Sequence, residues 1–219
     1  MTTIFVHGLG QTSLSWQSTI SYLPNQMEVA CPDLYKLCSP QDFTYTNLYA
    51  AFVAYCNKFS QPINLCGISL GAILALNYAI DFPDRVNSLV LIAAQFKMPR
   101  LLLMCQNMIF RMIPEKSFLK SGVKKKTMIQ LSQSMVNLDF NHRLQQINCP
   151  TLVVCGDKDR VNQKAAKILV SRLINARHQL VDNAGHEVNV QAPQSLAFAI
   201  GKFYTHFENI NCRIKETVM

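Results

Sequence analysis

Short apolar runs rich in Val, Ile and Leu alternate along this chain with longer stretches whose apolar residues recur at helical intervals. Few folds accommodate that order. The runs lie at 4–6, 29–31, 63–66, 89–92, 152–155 and 178–181. They are continuous rather than alternately apolar and polar, which predicts strands in a sheet covered on both faces. Helices are predicted at 47–57, 70–80, 163–173 and 195–207. Leu48, Ala51, Phe52 and Tyr55 share one face of the first, and Ala72, Ala75, Leu76 and Ala79 one face of the second. Ala165, Ile168, Leu169 and Leu173 repeat the pattern, as do Leu196, Ala199, Ile200 and Phe203. Strand–helix alternation of this kind builds an α/β fold, a mostly parallel sheet of about six strands flanked by helices.

One stretch departs from the rhythm. From 95 to 148 no strand pattern stands out, and Pro99, Pro114 and Pro150 punctuate the region. Its apolar residues fall at helical spacing, which predicts a helical insertion on a core formed by 1–94 and 149–219. Charge concentrates in the same place. Of the formal net charge of +8, the window 97–126 carries +7, with eight Lys and Arg against Glu115. No zinc-finger, RNP-type aromatic or bZIP pattern accompanies it, so nucleic acid is not an expected partner. Lys124, Lys125 and Lys126 suit either a solvated face or weak attraction to an anionic substrate or lipid surface. Leu102, Cys105, Met108, Ile109 and Met112 recur along the preceding stretch. Flexible Met and Leu fill irregular apolar space, so these five are candidate linings of a substrate pocket, against the alternative that they pack on the sheet.

At 219 residues and 49% hydrophobic composition the chain has material for a substantial core. Its apolar stretches fall short of the ~20 residues that cross a bilayer. The start, Met1-Thr2-Thr3, has no basic segment before the first strand, so no signal peptide is expected. None of the eight cysteines forms a C-x-x-C pair, and Cys66 and Cys155 sit inside strand-like runs. Small buried thiols in a reducing, cytoplasmic setting are expected, with no metal site.

Gly67-Ile68-Ser69-Leu70-Gly71 is the strongest chemical signal. It falls between a predicted strand and a predicted helix. A serine on so sharp a turn needs neighbouring side chains removed, and glycines two before and two after remove them. The helix start then faces developing negative charge. A serine nucleophile needs a base, and the base an orienting group. His186, in Asn183-Ala184-Gly185-His186-Glu187, follows the last strand and is the candidate base; His7, His142, His178 and His206 suit structural places better. Cys155-Gly156-Asp157-Lys158-Asp159 offers two acids after the fifth strand. The loop must turn back toward His186, which favours Asp159, with Asp157 capping the loop. Two backbone donors for an oxyanion are expected at Leu70 and, from His7-Gly8-Leu9-Gly10, at Leu9. The same glycine loop lacks G-K-[ST] and G-x-G-x-x-G, so no nucleotide or other cofactor is expected.

Together these residues resemble the α/β-hydrolase superfamily, with the order Ser69, Asp159, His186 and the insertion in the place of that family's cap. The resemblance runs from the His7-Gly8 loop through Pro32-Asp33 to the last helix. It implies a hydrolase acting on a carboxylic ester or related acyl compound. Two features differ from the family pattern. Asp33-Leu34-Tyr35-Lys36-Leu37-Cys38-Ser39 lacks the glycines usual after the second strand, and the common leading hairpin is missing. Two other functions fit the same fold. One is a lyase of the menaquinone-biosynthesis type, in which an arginine would be expected near the nucleophile, where this chain has Ala72 and Ile73. The other is a non-catalytic ligand-binding member.

Overall fold

The structure is a computed structural model that describes residues 1–99, 103, 112, 114–115 and 124–217, without the side chains of Pro40 and of residues beyond 205. Six parallel strands form one sheet: β1 (Thr3–Val6), β2 (Val29–Ala30), β3 (Ile63–Ile68), β4 (Val86–Ile92), β5 (Thr151–Gly156) and β6 (Ala176–Val181). Their spatial order is β2-β1-β3-β4-β5-β6, with every neighbouring pair parallel. After β2 the connections place each new strand one step further along, so the change of direction falls between β1 and β3. Ligands of open parallel sheets bind beyond the strand ends at such a point.

The side chains of β1, β3, β4 and β5 divide by parity, as a pleated strand requires. Ile4, Val6, Leu65, Leu89, Leu91, Val153 and Cys155 join one core, with helices α2 (Tyr45–Cys56), α3 (Leu70–Asp81) and α5 (Arg160–Arg172). Phe5, Cys66, Ile68, Val90, Ile92, Leu152 and Val154 join the other. That side is covered by Trp16, just before α1 (Gln17–Ser21), and by α6 (Val188–Gln191) and α7 (Pro193–Thr217). Helix α3 is buried from Leu70 through Ile80, which explains why it is apolar all round.

One expectation needs correction. The sheet is covered on both faces except at β6, where Arg177, His178, Gln179 and Leu180 are exposed. β6 pairs only with β5, and edge position is a property of the assembled sheet that a local apolar run does not encode.

The two ends of the 95–148 stretch meet. Met98 N–H donates to Leu138 O (3.0 Å) and Phe140 N–H to Phe96 O (2.8 Å), around an isolated antiparallel bridge between Lys97 and Asp139. Sequence periodicity gave no sign of that bridge. Helix α4 (Lys125–Ser134) lies between the two ends in the chain, and its Ser134 Oγ accepts from Tyr45 N–H at the start of α2 (2.8 Å). Leu131, Met135, Phe140, Leu144 and Ile147 pack into the first core.

Candidate active site

Ser69 sits where β3 ends and α3 begins, half-buried, at φ 52° and ψ −114°. That is a conformation an L-residue adopts only under tertiary constraint. The constraint is visible on both sides. A Cβ on Gly67 would lie 2.3 Å from Gly71 O, and one on Gly71 would lie 2.1 Å from Val6 O. Both glycines are therefore required by close backbone approach. Ser69 N–H donates to Ile92 O of β4 (2.9 Å), and Ser69 O accepts from Ile73 N–H in the first turn of α3 (3.0 Å).

The loop after β1 lies against this turn. A Cβ on Gly8 would come 3.5 Å from Ser69 Cβ. His7 and Gln11 shape the loop. The His7 ring, fully buried, donates from Nδ1 to Gly8 O (2.9 Å) and accepts at Nε2 from Leu34 N–H (3.0 Å). Burial holds the His7 pKa below its usual 6.5, against the opposing hydrogen bond to Gly8 and the charge of Asp33. His7 is thus a neutral structural group. Gly8 N–H donates to Gln11 Oε1 (3.2 Å), leaving Leu9 next in line; neither Leu9 N–H nor Leu70 N–H has an acceptor among the described residues.

The loop after β2 packs against the loop after β1. Tyr35 OH accepts from Gly10 N–H (2.8 Å), and its ring lies between His7 and Phe43 at 5.4 and 5.5 Å. Burial raises the Tyr35 hydroxyl to about 12, so it stays protonated. Tyr35 thus buttresses the neighbouring loop, and Lys36 and Cys38 beside it stand where the family pattern has glycines.

At the ends of β5 and β6 the structure brings Asp159 to His186. Asp159 Oδ2 lies 2.9 Å from His186 Nδ1. Asp159 also caps α5, its Oδ1 accepting from Asn162 N–H (3.3 Å). Burial by itself would raise the Asp159 pKa, but hydrogen bonds from His186 and Asn162 outweigh it and hold the carboxyl below its ordinary range. Asp157 does something else: its Oδ1 accepts from Ala184 N–H (3.1 Å), tying the β5 loop to the histidine loop. Gly156 makes that approach possible, since a Cβ there would lie 2.2 Å from Ala184 O. The His186 side chain is 48% exposed. Among the described residues no hydrogen bond joins Ser69 to His186, a contact that often tightens only with substrate bound.

Several residues at this site carry no motif in the sequence. Gln11 Nε2 donates to Glu187 Oε1 (3.0 Å) and Asn189 Oδ1 (3.1 Å), so one buried amide joins the Gly8 loop to the residues after His186. Asn162 stands behind Asp159, and Gln95 behind Asn162. Only Asn162 left a trace, three residues after Asp159 at a helix start. Of the five candidate pocket linings, Leu102, Cys105, Met108 and Ile109 fall outside the described residues. Met112 is 84% exposed. Among its described residues the insertion approaches the site with Met128 of α4, whose Cε lies 3.4 Å from where a Cβ on Gly10 would stand. Groups of His, Cys, Asp and Glu suited to a metal are absent among the described residues.

The fold and these geometries belong to a known class. Residues 3–199 match the model of the alpha/beta hydrolase family, and the chain belongs to that family. Monoacylglycerol lipase ABHD6 of Rattus norvegicus is 21% identical over 260 residues, covering 94% of this chain and 76% of that protein. Among solved structures, MenH from S. aureus superposes with a TM-score of 0.82 at 18% identity, covering 94% of each chain. A thermophilic esterase from Thermogutta terrifontis gives 0.78, also at 18% identity, covering 94% of this chain and 90% of the other. At these identities the solved structures establish the fold alone.

Proposed function

We propose that this protein is a serine hydrolase that cleaves a carboxylic ester or related acyl compound. The observation that carries the reading is the Asp159–His186 contact of 2.9 Å after β5 and β6, in a sheet whose β3 ends on a serine held at φ 52°. In this reading His186 Nε2 takes the Ser69 proton as Oγ bonds to the substrate carbonyl carbon. The tetrahedral oxyanion is met by the Leu9 and Leu70 N–H groups, at the loop and helix start that flank Ser69. Collapse breaks the bond to the leaving alkoxide, which takes its proton from His186. Water, deprotonated by His186, then attacks the acyl-enzyme, and Ser69 leaves with the proton returned. Asp159, held ionised, stabilises the imidazolium and keeps Nδ1 protonated in the resting state.

The 95–148 stretch acts as the cap in this proposal, with Met128 at its inner side. The name of the lipase relative makes a monoacylglycerol the first ester to try. A cytoplasmic setting suits the buried free thiols of Cys56, Cys66 and Cys155. Among the described residues no helix is long and apolar enough to cross a membrane.

The test is labelling with a fluorophosphonate followed by a screen of p-nitrophenyl esters graded by acyl length, then monoacylglycerols, lactones and thioesters. Labelling located at Ser69 and lost in Ser69→Ala supports the reading. An unlabelled, folded protein returns the chain to the non-catalytic binding alternative, and labelling without turnover of any acyl compound directs attention to the lyase.

A further inference from the structure

The Asp159–His186 pair is part of a longer chain of side-chain bonds. Asn162 Nδ2 donates to Asp159 Oδ2 at 2.7 Å and lies 3.1 Å from His186 Nδ1. His186 Nδ1–H points at the same oxygen, 2.9 Å away. Two N–H donors therefore converge on one carboxylate oxygen. Behind Asn162, Gln95 Nε2 donates to Asn162 Oδ1 at 2.6 Å. With the acceptor-only carboxylate on the other side, that bond holds the Asn162 amide one way round. Reversed, its oxygen would oppose the carboxylate and its NH2 would oppose the NH2 of Gln95. Both contacts would be repulsive at a side chain only 7% exposed.

We propose that Gln95 and Asn162 form a positioning relay that holds Asp159 Oδ2 on His186 and thereby selects the imidazole tautomer protonated at Nδ1. The inference rests on the triad reading above. The helix cap restrains only Oδ1, and the terminal carboxylate torsion is otherwise soft. The second donor from Asn162 fixes the other oxygen. Selection depends on the whole arrangement, because Asn162 Nδ2 also sits within reach of His186 Nδ1. If the carboxylate turned away, that donor would face the ring nitrogen and favour the proton on Nε2. Such a ring cannot accept the Ser69 proton. Gln95 stands three residues beyond β4, whose Ile92 O holds Ser69 N–H, so the relay anchors the acid to the strand that also braces the nucleophile. Neither residue has a hydrogen bond to Ser69, and their action passes through Asp159 and His186.

The experiment uses the full chain labelled with 15N-histidine, with Asn162→Ala, Gln95→Ala and the double variant. Long-range 1H–15N spectra report the protonated nitrogen of His186, assigned by its disappearance in His186→Gln. The rate of Ser69 labelling by a fluorophosphonate at pH 7.5 reports reactivity. Asn162→Ala should shift neutral His186 toward the Nε2–H form and slow labelling about tenfold, with a melting temperature within a few degrees of wild type. Gln95→Ala should move both readouts the same way, by about threefold in rate. The double variant should be no slower than Asn162→Ala, because Gln95 acts through Asn162. Wild-type tautomer populations in Asn162→Ala, or losses that multiply in the double variant, overturn the relay. If Asn162→Ala does not fold, Gln95→Ala decides alone, and an unchanged tautomer overturns it. If wild-type Ser69 fails to label, the hydrolase reading falls while the tautomer spectra still judge the relay.

Discussion

Ser69 is held in a conformation that its side chain disfavours, and that strain separates its chemistry from its stability. Ser69→Ala should abolish ester hydrolysis by several orders of magnitude with little change in melting temperature, since alanine inherits the same strained φ of 52°. Ser69→Gly should be equally inactive yet more stable, by ~1 kcal/mol, because glycine adopts φ > 0 freely. Thermal melts of the two inactive variants check this; an equal or lower melting temperature for the glycine variant contradicts it. The two aspartates should part in the opposite sense. Asp159→Asn should lower kcat by a factor of ~10³–10⁴, while Asp157→Asn loosens the tie to Ala184 and lowers stability by about 1 kcal/mol with kcat nearly kept. Buried His7 adds an acid-sensitive contribution. Its folded pKa lies below 6.5, so below about pH 6.5 the unfolded chain binds the extra proton and stability declines as pH falls. Above that pH the contribution is fully present. His7→Asn should be less stable at pH 8 but show a flatter decline between pH 6.5 and 5, measurable by urea unfolding across that range. The remaining slope there belongs to other groups, including His178, whose pKa is also lowered, by partial desolvation and by the charge of Lys167.

At the scale of elements, the glycines show which turns are rigidly built. Gly71→Ala would set a methyl 2.1 Å from Val6 O, and no flexible group is available to yield. A loss of more than ~3 kcal/mol or failure to fold is expected. Gly201, in α7, has nothing within 4 Å of its Cβ position, so Gly201→Ala should stabilise by about 0.5–1 kcal/mol. Denaturation midpoints of the two variants test the contrast. The elements themselves were largely readable. The six predicted runs coincide with the six strands, and for the central β1, β3, β4 and β5 burial on both faces leaves the continuous apolar signature. Gly67 and Ile68 extend β3 past its predicted end, since the glycine there answers to Gly71 rather than to strand propensity. The five-residue α1 and four-residue α6 are too short to show a periodicity. Ser69, Asp159 and His186 stood out because turn chemistry and chain order mark them. Gln95 and Asn162 are 67 residues apart, and nothing in either local sequence announces a hydrogen bond between two amides, even though Asn162 stands three residues after Asp159 at a helix start.

Across the whole molecule the charge is lopsided, with +7 of the net +8 in the window 97–126. In the proposed hydrolase, with 95–148 as its cap, that window should steer anionic substrates. kcat/KM for an anionic acyl ester should drop as NaCl rises to ~0.5 M, whereas a neutral ester of equal length should barely respond. Changing Lys124, Lys125 and Lys126 together to Gln should flatten that dependence and leave kcat for the neutral ester unchanged. Identical salt curves for the two wild-type substrates would reduce the cluster to a solvated face.

The strand order also sets a timetable. Thr3 pairs with Asn64 and Thr3 with Val29, so β1 finds its neighbours only after dozens of further residues have been made. At ~5–20 residues per second, the 61 residues from Thr3 to Asn64 take roughly 3–12 s to synthesise. During that time Ile4, Phe5 and Val6 emerge without the sheet that will bury them. The serine turn must wait longer, until Ile92 arrives to receive its N–H, and the acid–base pair longer still. A nascent chain of this topology is therefore inert and sticky for most of its translation, and should depend on chaperones more than its length alone suggests.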